Sequence, residues 1–392
     1  MNDQLLQGIR VLDLTQIFQG PYATFLMAMA GADVVKIEPV GGERMRRGGG
    51  KDTPLAFAML NSNKRSLVLD LKQQRDKEVL KNMARAADVI VENFAPGTMD
   101  RLGLGWETMQ DLNPRLIYGT ATGYGISGPD RDQLAMDHTV QAVCGIMSST
   151  GNAGDPPVKA GGQICDIMGG IHLYGGIVSA LLARERTGHG TRVETAMAEA
   201  MYFTLGSEFS HYHRTGELPE RRADKSAANI APYGRYRCSD GWIALLCVSE
   251  PQWERLVRLI GRDDLIGNPD YATGVLRHKF ETKINQMIEY WTSTRSRGEV
   301  FMLARDARIP VAPVRDLSEV MADRHMRERG MLHDMQHPYM GDVVLPASPL
   351  RYSQYEQSDL RFFPEPGADE PDVYREWLNL SEDEVQKFFD KV

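Results

Sequence analysis

Between Lys159 and Arg184 the chain carries a single charge, Asp166, set in Gly161-Gly-Gln-Ile-Cys-Asp-Ile-Met-Gly-Gly170. A carboxylate in so apolar a run is paired, caps a helix or is used chemically, because an unpaired buried charge is costly. Capping is the commoner use of Asp. The glycine pairs on both sides allow other groups to approach closely, which makes Asp166 the candidate nucleophile. A nucleophilic carboxylate divides one hard exchange into easier covalent steps.

The elements that must position this acid begin with the first 120 residues, where strand and helix patterns alternate. Gly8 to Thr15 reads as a strand, and Gly20-Pro21 opens an apolar helix that runs to Met29. Further strands are expected at Val34 to Glu38, Ser66 to Asp70, Val89 to Glu92 and Arg115 to Tyr118, with a helix from Lys77 to Ala87. This alternation predicts an α/β fold, a parallel sheet with helices on its faces. Ligands of such sheets bind beyond the carboxyl ends of the strands, so the loops Thr15 to Gly20, Glu38 to Gly50 and Asn93 to Gly97 should face one. The glycine-rich helix bearing Asp166, a strand at Arg192 to Thr195 and one long helix from Ala196 to Thr215 follow.

From Pro232 the pattern changes to a hairpin around Asp240-Gly241 and helices at Gln252 to Ile260 and Arg277 to Thr294, a smaller α+β domain. The expected division is a discontinuous large domain, 1–215 and 325–392, a linker at 216–230 and a small domain at 231–324. More strand and helix are expected at Leu345 to Leu360 and a terminal helix from Ser381.

Composition narrows the function. The 392 residues have room for two or three domains, and 42% hydrophobic with 25% charged residues is ordinary for a globular protein. A formal net charge of -8 argues against a nucleic-acid partner, whose binding depends on neutralising phosphates. Cys144, Cys165, Cys238 and Cys247 have no C-x-x-C spacing, which indicates neither a zinc site nor a disulfide framework and fits a cytoplasmic location. His211 and His213, two apart on an expected helix, do not share a face, so no metal is expected. Met1 to Gln7 lacks the basic start and apolar core of a signal peptide. The longest uncharged apolar run, Ile167 to Ala183, is shorter than the roughly 20 residues that span a bilayer; it reads as a buried helix, and no membrane partner is expected.

Two phosphate-loop patterns fail on context. Gly123-Tyr-Gly-Ile-Ser-Gly128 is followed by Pro129-Asp130-Arg131 instead of a helix start, and Gly48-Gly-Gly-Lys51 lacks the first glycine and the Ser/Thr of its motif. No G-x-S-x-G elbow supports a serine hydrolase. Lys64, Arg65, Lys72 and Arg101 near strand ends are a better lead, beside Asn93-Phe-Ala-Pro-Gly97. Such cations are usually only solvated; grouped here they suit the phosphates of a phosphorylated adenosine, with Phe94 for stacking and Asn93 for polar contacts.

Taken in order, Val11-Leu-Asp-Leu-Thr15 with Gly20-Pro21, Gly31 to Glu38, Asn63 to Ser66, Leu69 to Lys72, Val91 to Phe94 with Pro96-Gly97, Gly123-Tyr-Gly125, Asp166 and Gly188-x-Gly190-x-x-Val193 resemble one family. It is the class III CoA-transferases, the CaiB/BaiF superfamily of formyl-CoA and carnitine CoA-transferases, which share their fold with α-methylacyl-CoA racemases. The resemblance runs nearly end to end. It implies a Rossmann-like large domain built from both chain ends, a small domain between them and an interlocked homodimer. It also implies a coenzyme A thioester as substrate, with no permanently bound cofactor, and a small carboxylic acid as the second substrate. Asp166 aligns with the family nucleophile, which forms first an anhydride and then an aspartyl-CoA thioester. Family CoA contacts carry over to Gln16, Ile17, Leu69, Lys72, Asn93, Phe94 and Arg101, with Gln16 standing where many members have His.

The racemase branch places a His-Asp pair ahead of the aligned aspartate. Here those positions are Met136-Asp137, with His138 one residue late, so transfer is favoured over two-base proton exchange. Aromatic residues around the acid in formyl-CoA:oxalate enzymes are unmatched at Gly49, Ala56 and Asp137, and their glycine lid is unmatched near 228–234, which implies a roomier pocket. Arg46 and Arg47 beside the acid favour a dicarboxylate such as succinate. The resemblance thus implies a substrate pocket of Arg47, Asp137, His138, Gly169 and Gly170, the two glycines giving room for substrate and backbone contact with a developing oxyanion; their alternative use is tight helix packing.

Overall fold

The computed structural model describes residues 4–47, 53–221, 229–337 and 340–389. β1 (Arg10–Asp13) leads to α1 (Gln19–Met29), and β2 (Asp33–Glu38) to α2 (Arg44–Arg47) and α3 (Thr53–Asn61). β3 (Arg65–Val68) precedes α4 (Gln74–Ala86), and β4 (Val89–Glu92) precedes α5 (Thr98–Leu102) and α6 (Trp106–Leu112). After β5 (Ile117–Thr122) come α7 (Asp137–Val143), α8 (Ile146–Ser149) and the 24-residue α9 (Ile164–Thr187), then β6 (Arg192–Ala196) and α10 (Met197–Tyr202).

These six strands form one parallel sheet in the order β3-β2-β1-β4-β5-β6. The chain steps outward from β1 to one edge, returns to β4 and steps outward to the other. Its direction therefore reverses between β1 and β4, where a crevice opens past the strand ends. Central strands of a doubly covered sheet are apolar on both faces, and Val11, Leu12 and Val89 to Val91 are fully buried. On one face Leu80 and Met83 of α4 pack with Tyr374 and Trp377 from the far end of the chain; on the other, Met27 of α1 packs with Leu173 and Ile177 of α9.

The chain divides into two compact units, 1–145 with 159–204 and 324–392, and 146–158 with 205–323. The second contains α11 (Gly206–Thr215), the hairpin β7 (Tyr233–Cys238) and β8 (Gly241–Leu246), α12 (Glu250–Leu259), α13 (Gly274–His278), α14 (Glu281–Thr292), α15 (Arg297–Asp306), β9 (Val311–Pro313) and α16 (Leu317–Met321). Its core gathers Trp253, Tyr271 and Ile288 beneath the antiparallel sheet β7-β8-β9. α17 (Arg324–Glu328), the hairpin β10 (Leu332–His337) and β11 (Gly341–Pro346), α18 (Glu370–Leu378) and α19 (Glu382–Phe389) belong to the first unit.

Four expectations need correction. The long helix from Ala196 to Thr215 is interrupted by a 3-10 turn at Phe203–Leu205 just before Gly206, a poor residue for a helix interior. The helix expected at Arg277 to Thr294 is split between α13 and α14. Past Pro346, residues 347–360 form neither strand nor helix. The apolar run at 167–183 is not buried all round: α9 packs on α1 with one face, while Ile171 and Leu182 are 43% and 65% exposed.

Candidate active site

The crevice is framed by the segments that follow β1 and β4, and side chains hold three consecutive residues of the first. Lys36 Nζ donates to Thr15 O at 2.8 Å. Asn93 Oδ1 accepts the Gln16 N–H at 2.7 Å while its Nδ2 donates to Gln16 O at 2.8 Å. The Ile17 N–H donates to Glu43 Oε1 at 2.9 Å. Ile17 lies in the left-handed region, φ 69°, which a β-branched residue avoids. Strain of that kind costs on the order of 1–3 kcal/mol, and a hydrogen bond to a charged acceptor contributes about 1.5–3 kcal/mol, so the bond to Glu43 is of the size that offsets it.

Below this segment lies a buried charge network. Asp13 and Lys64 pair at 2.8 Å with both side chains fully buried, and Lys64 also donates to Asn61 Oδ1 and Pro21 O. Burial works to raise the Asp13 carboxyl, but Lys64 and Lys36 outweigh it and hold the group below the usual carboxylate range. Burial pushes Lys64 down to about 8 against the attraction of Asp13. Lys36 in turn pairs with Glu43 at 3.1 Å. Lys64 is therefore not a phosphate ligand, and Arg65 is engaged by Asp33 and Glu376. Arg46 is also committed: it makes a two-point bond to Glu38 (3.0 and 2.8 Å) and lies between the rings of Phe57 and Phe363, 4.8 and 4.7 Å from their centroids. The expectation that it meets a substrate carboxylate is overturned.

Asp166 stands in the first turn of α9 and is 7% exposed. It does not cap its helix. That task falls to Asp137, at the start of α7, whose Oδ1 accepts the N–H groups of Cys165 (2.8 Å) and Asp166 (3.3 Å). Gln141 Nε2 donates to the other oxygen of Asp137 at 2.6 Å, and Gln141 Oε1 accepts the Ala160 N–H. Among the described residues nothing donates to the Asp166 carboxylate. Burial, and after it the charge of Asp137, push that carboxyl up to about 7. The acid is thus poised between its charged and neutral forms near neutrality.

A cavity of about 310 Å³ brings Asp166 and Asp137 together with Gln16, Ile17, Asn93 and Phe94. Gln16 also lines a second, more open cavity of about 630 Å³ with Lys72, Asp70 and Arg44. Other expected site residues lie elsewhere. Leu69 is buried in the core, Arg101 is exposed on α5 and donates to Thr98, and His138 is exposed and lines neither cavity. Gly169 and Gly170 face α1: a Cβ at Gly169 would lie 2.5 Å from Gln19 Nε2, and one at Gly170 2.6 Å from Gln19 O. Packing is their visible use, and as interior helix residues their amides are spent on the helix. Ala56 sits on α3 and lines neither cavity. The Arg47 side chain, Gly49 and Ala228 lie outside the described residues.

The sequence did not single out Gln19 and Met197, which line the cavity beside Asp166; Met136, named only as standing where racemases have His, lines it too. Gln19 is 3% exposed, and its Nε2 reaches Thr122 O only at 3.4 Å. A polar residue directly before Gly20-Pro21, in a loop already expected to face ligand, was the available signal for Gln19; Met197 had none. No group of three His, Cys, Asp or Glu suited to a metal occurs among the described residues.

The family model for CoA-transferase family III matches residues 6–370. Formyl-CoA:oxalate CoA-transferase of Streptomyces avermitilis is 36% identical over 400 residues, spanning 97% of this chain and 97% of that one. The protein of the same name from Rhodopseudomonas palustris strain HaA2 is 33% identical over 411 residues, spanning 98% and 96%. Among solved structures, a CAIB/BAIF family protein from Brucella suis matches with a TM-score of 0.85 at 28% identity, covering 96% of this chain and 100% of that one. A protein from M. tuberculosis matches at 0.82 and 26%, covering 94% and 99%. With its parallel sheet, its crevice at the strand reversal and these full-length likenesses, the chain belongs to CoA-transferase family III and is an enzyme of that class.

Proposed function

We propose that Asp166 is the nucleophile through which coenzyme A passes from an acyl-CoA thioester to a carboxylic acid. One observation carries this reading: the acid is almost buried, receives no hydrogen bond among the described residues and opens on the cavity at the reversal between β1 and β4. A carboxylate without donors is poorly stabilised in its resting state and correspondingly nucleophilic. It attacks the thioester carbonyl; the C–S bond breaks, leaving a mixed anhydride and the CoA thiolate. The thiolate then attacks the aspartyl carbonyl, which releases the donor carboxylate and leaves an aspartyl-CoA thioester. The acceptor carboxylate runs the same two exchanges in reverse, with no net proton or electron transfer. Thioester energy is retained throughout.

In this reading the nucleotide end of coenzyme A lies by Lys72 and Arg101, and its acyl end passes Gln16 and Asn93 to reach Asp166. Relatives named for oxalate favour a dicarboxylate as one substrate, with Arg47 as the proposed partner of its second carboxylate. Racemisation is the weaker reading, since His138 is exposed and no histidine is among the residues lining the cavity. The threaded homodimer is proposed as well, since Leu182, Tyr202 and Phe203 leave 59–85% of their surface exposed and need cover.

The test is chemical trapping. Incubation with succinyl-CoA followed by hydroxylamine should convert the Asp166 side chain to a hydroxamate detectable in its peptide by mass spectrometry. Solvent deuterium entering the acyl α-carbon, with that peptide unmodified, would instead mean a racemase. Sedimentation velocity reports the dimer.

A further inference from the structure

Glu43 lines neither cavity, yet the backbone of a residue that does hangs on it. Ile17 faces the cavity of Asp166, next to Gln16, which borders both cavities. Its left-handed backbone would normally call for glycine. An isoleucine there keeps a bulky apolar side chain beside the acid, at the expense of a conformation that must be held from outside. The holder is Glu43 Oε1, 2.9 Å from the Ile17 nitrogen. Glu43 is itself fixed: its N–H donates to Glu38 Oε1 at 2.9 Å, its Oε2 meets Lys36 Nζ at 3.1 Å, and it is 1% exposed. Lys36, fully buried, continues the grip to Thr15 O.

We propose that Glu43 is a positioning residue for the coenzyme A thioester, acting through the Ile17 N–H to fix the Gln16-Ile17 turn between the nucleotide cavity and the Asp166 cavity. This rests on the transferase reading above, in which coenzyme A crosses at Gln16. A purely structural Glu43 would serve only to neutralise Lys36. The two roles separate because the ion pair uses Oε2 and the turn uses Oε1.

Coenzyme A itself is the probe, titrated calorimetrically into the full chain. Glu43→Asp keeps a carboxylate for Lys36 but draws it back from Ile17, and should raise the Kd at least tenfold. Ile17→Gly needs no external hold, so adding Glu43→Asp to it should change the Kd less than threefold. An unchanged Kd in Glu43→Asp, or equal weakening in both backgrounds, overturns the proposal. If Glu43→Asp does not fold, Ile17→Gly and Ile17→Ala leave the buried ion pair untouched. The glycine variant should then bind at least threefold more tightly, and equal or reversed affinities overturn the idea. Failure of the unaltered protein to bind coenzyme A would count against the transferase reading itself.

Discussion

The Asp137 carboxylate accepts the backbone N–H of Asp166 at 3.3 Å, so one acid caps the helix that carries the other. A helix amino end ordinarily favours a nearby negative charge. Here Asp137 already occupies it, and Asp166 gains a negative neighbour within a buried site. The pair divides the two uses of an aspartate that the local sequence left open.

The first consequence is a pH profile. Because the Asp166 carboxyl is pushed up to about 7 by burial and by Asp137, kcat/KM should rise about tenfold per pH unit toward a plateau just above that value. Asp137→Asn retains an acceptor for the helix amides and removes the second cause, so the rising limb should move to lower pH. A limb that stays in place would separate Asp137 from the acid's titration.

Asp166→Asn should lower turnover by roughly 10⁴-fold or more, as loss of a covalent nucleophile does. Stability should move the other way. A carboxyl raised on folding from 3.8 to about 7 favours the folded state fully below about 3.8, and that contribution is gone once the pH passes 7. At pH 8 the fold bears a charged acid in a poorly solvating site, so urea denaturation should find the Asn variant at least as stable as the parent.

Helix packing gives a sharper contrast. A methyl at Gly170 meets the Gln19 carbonyl at 2.6 Å, a backbone atom that cannot swing aside, whereas one at Gly175 meets nothing within 4 Å. Gly170→Ala should cost about 1–3 kcal/mol, and Gly175→Ala should be neutral or stabilise by up to about 1 kcal/mol. Chemical denaturation of the two variants decides it.

Arg46 and Arg47 can be told apart kinetically. Arg46 is spent on Glu38 and two aromatic rings, so Arg46→Lys should lower stability without changing the preference between succinate and acetate as acceptor. Arg47→Ala should raise KM for succinate about tenfold, equivalent to about 1.4 kcal/mol, and leave acetate unaffected. Equal effects on both acids would remove the dicarboxylate from the proposal.

Lys64→Met leaves the fully buried Asp13 carboxylate without its ion-pair partner and should destabilise the protein by about 3–5 kcal/mol. A urea midpoint near that of the parent would show that the donors from Thr15 and Thr24, with the charge of Lys36, suffice for Asp13.

How much of this was legible depended on whether the cause was local. The bounds of β4 are those the sequence indicated, because a strand covered on both faces reads as an apolar run, here Val89 to Val91 closed by Glu92. Asp166 stood out as an isolated charge. Lys64, by contrast, looked like an exposed cation because its partner Asp13 is 51 positions away, and Arg46 looked free because Phe363 and Pro364 close over it from the other end of the chain. The left-handed Ile17 gave no local sign at all, since the residue type argues against the conformation and the acid that secures it is 26 positions on.

Distance along the chain also governs when the sheet is sealed. β3 is an edge strand, and its Ser66 and Val68 N–H groups are met by Asp369 Oδ2 and Glu370 Oε1, 303 and 302 residues later. At about 5–20 residues per second, a growing polypeptide exposes that unsealed margin on the ribosome for on the order of 15–60 s, open to any other extended strand. A message cut short just before codon 369 would therefore yield a product prone to stick to its neighbours rather than a slightly smaller enzyme.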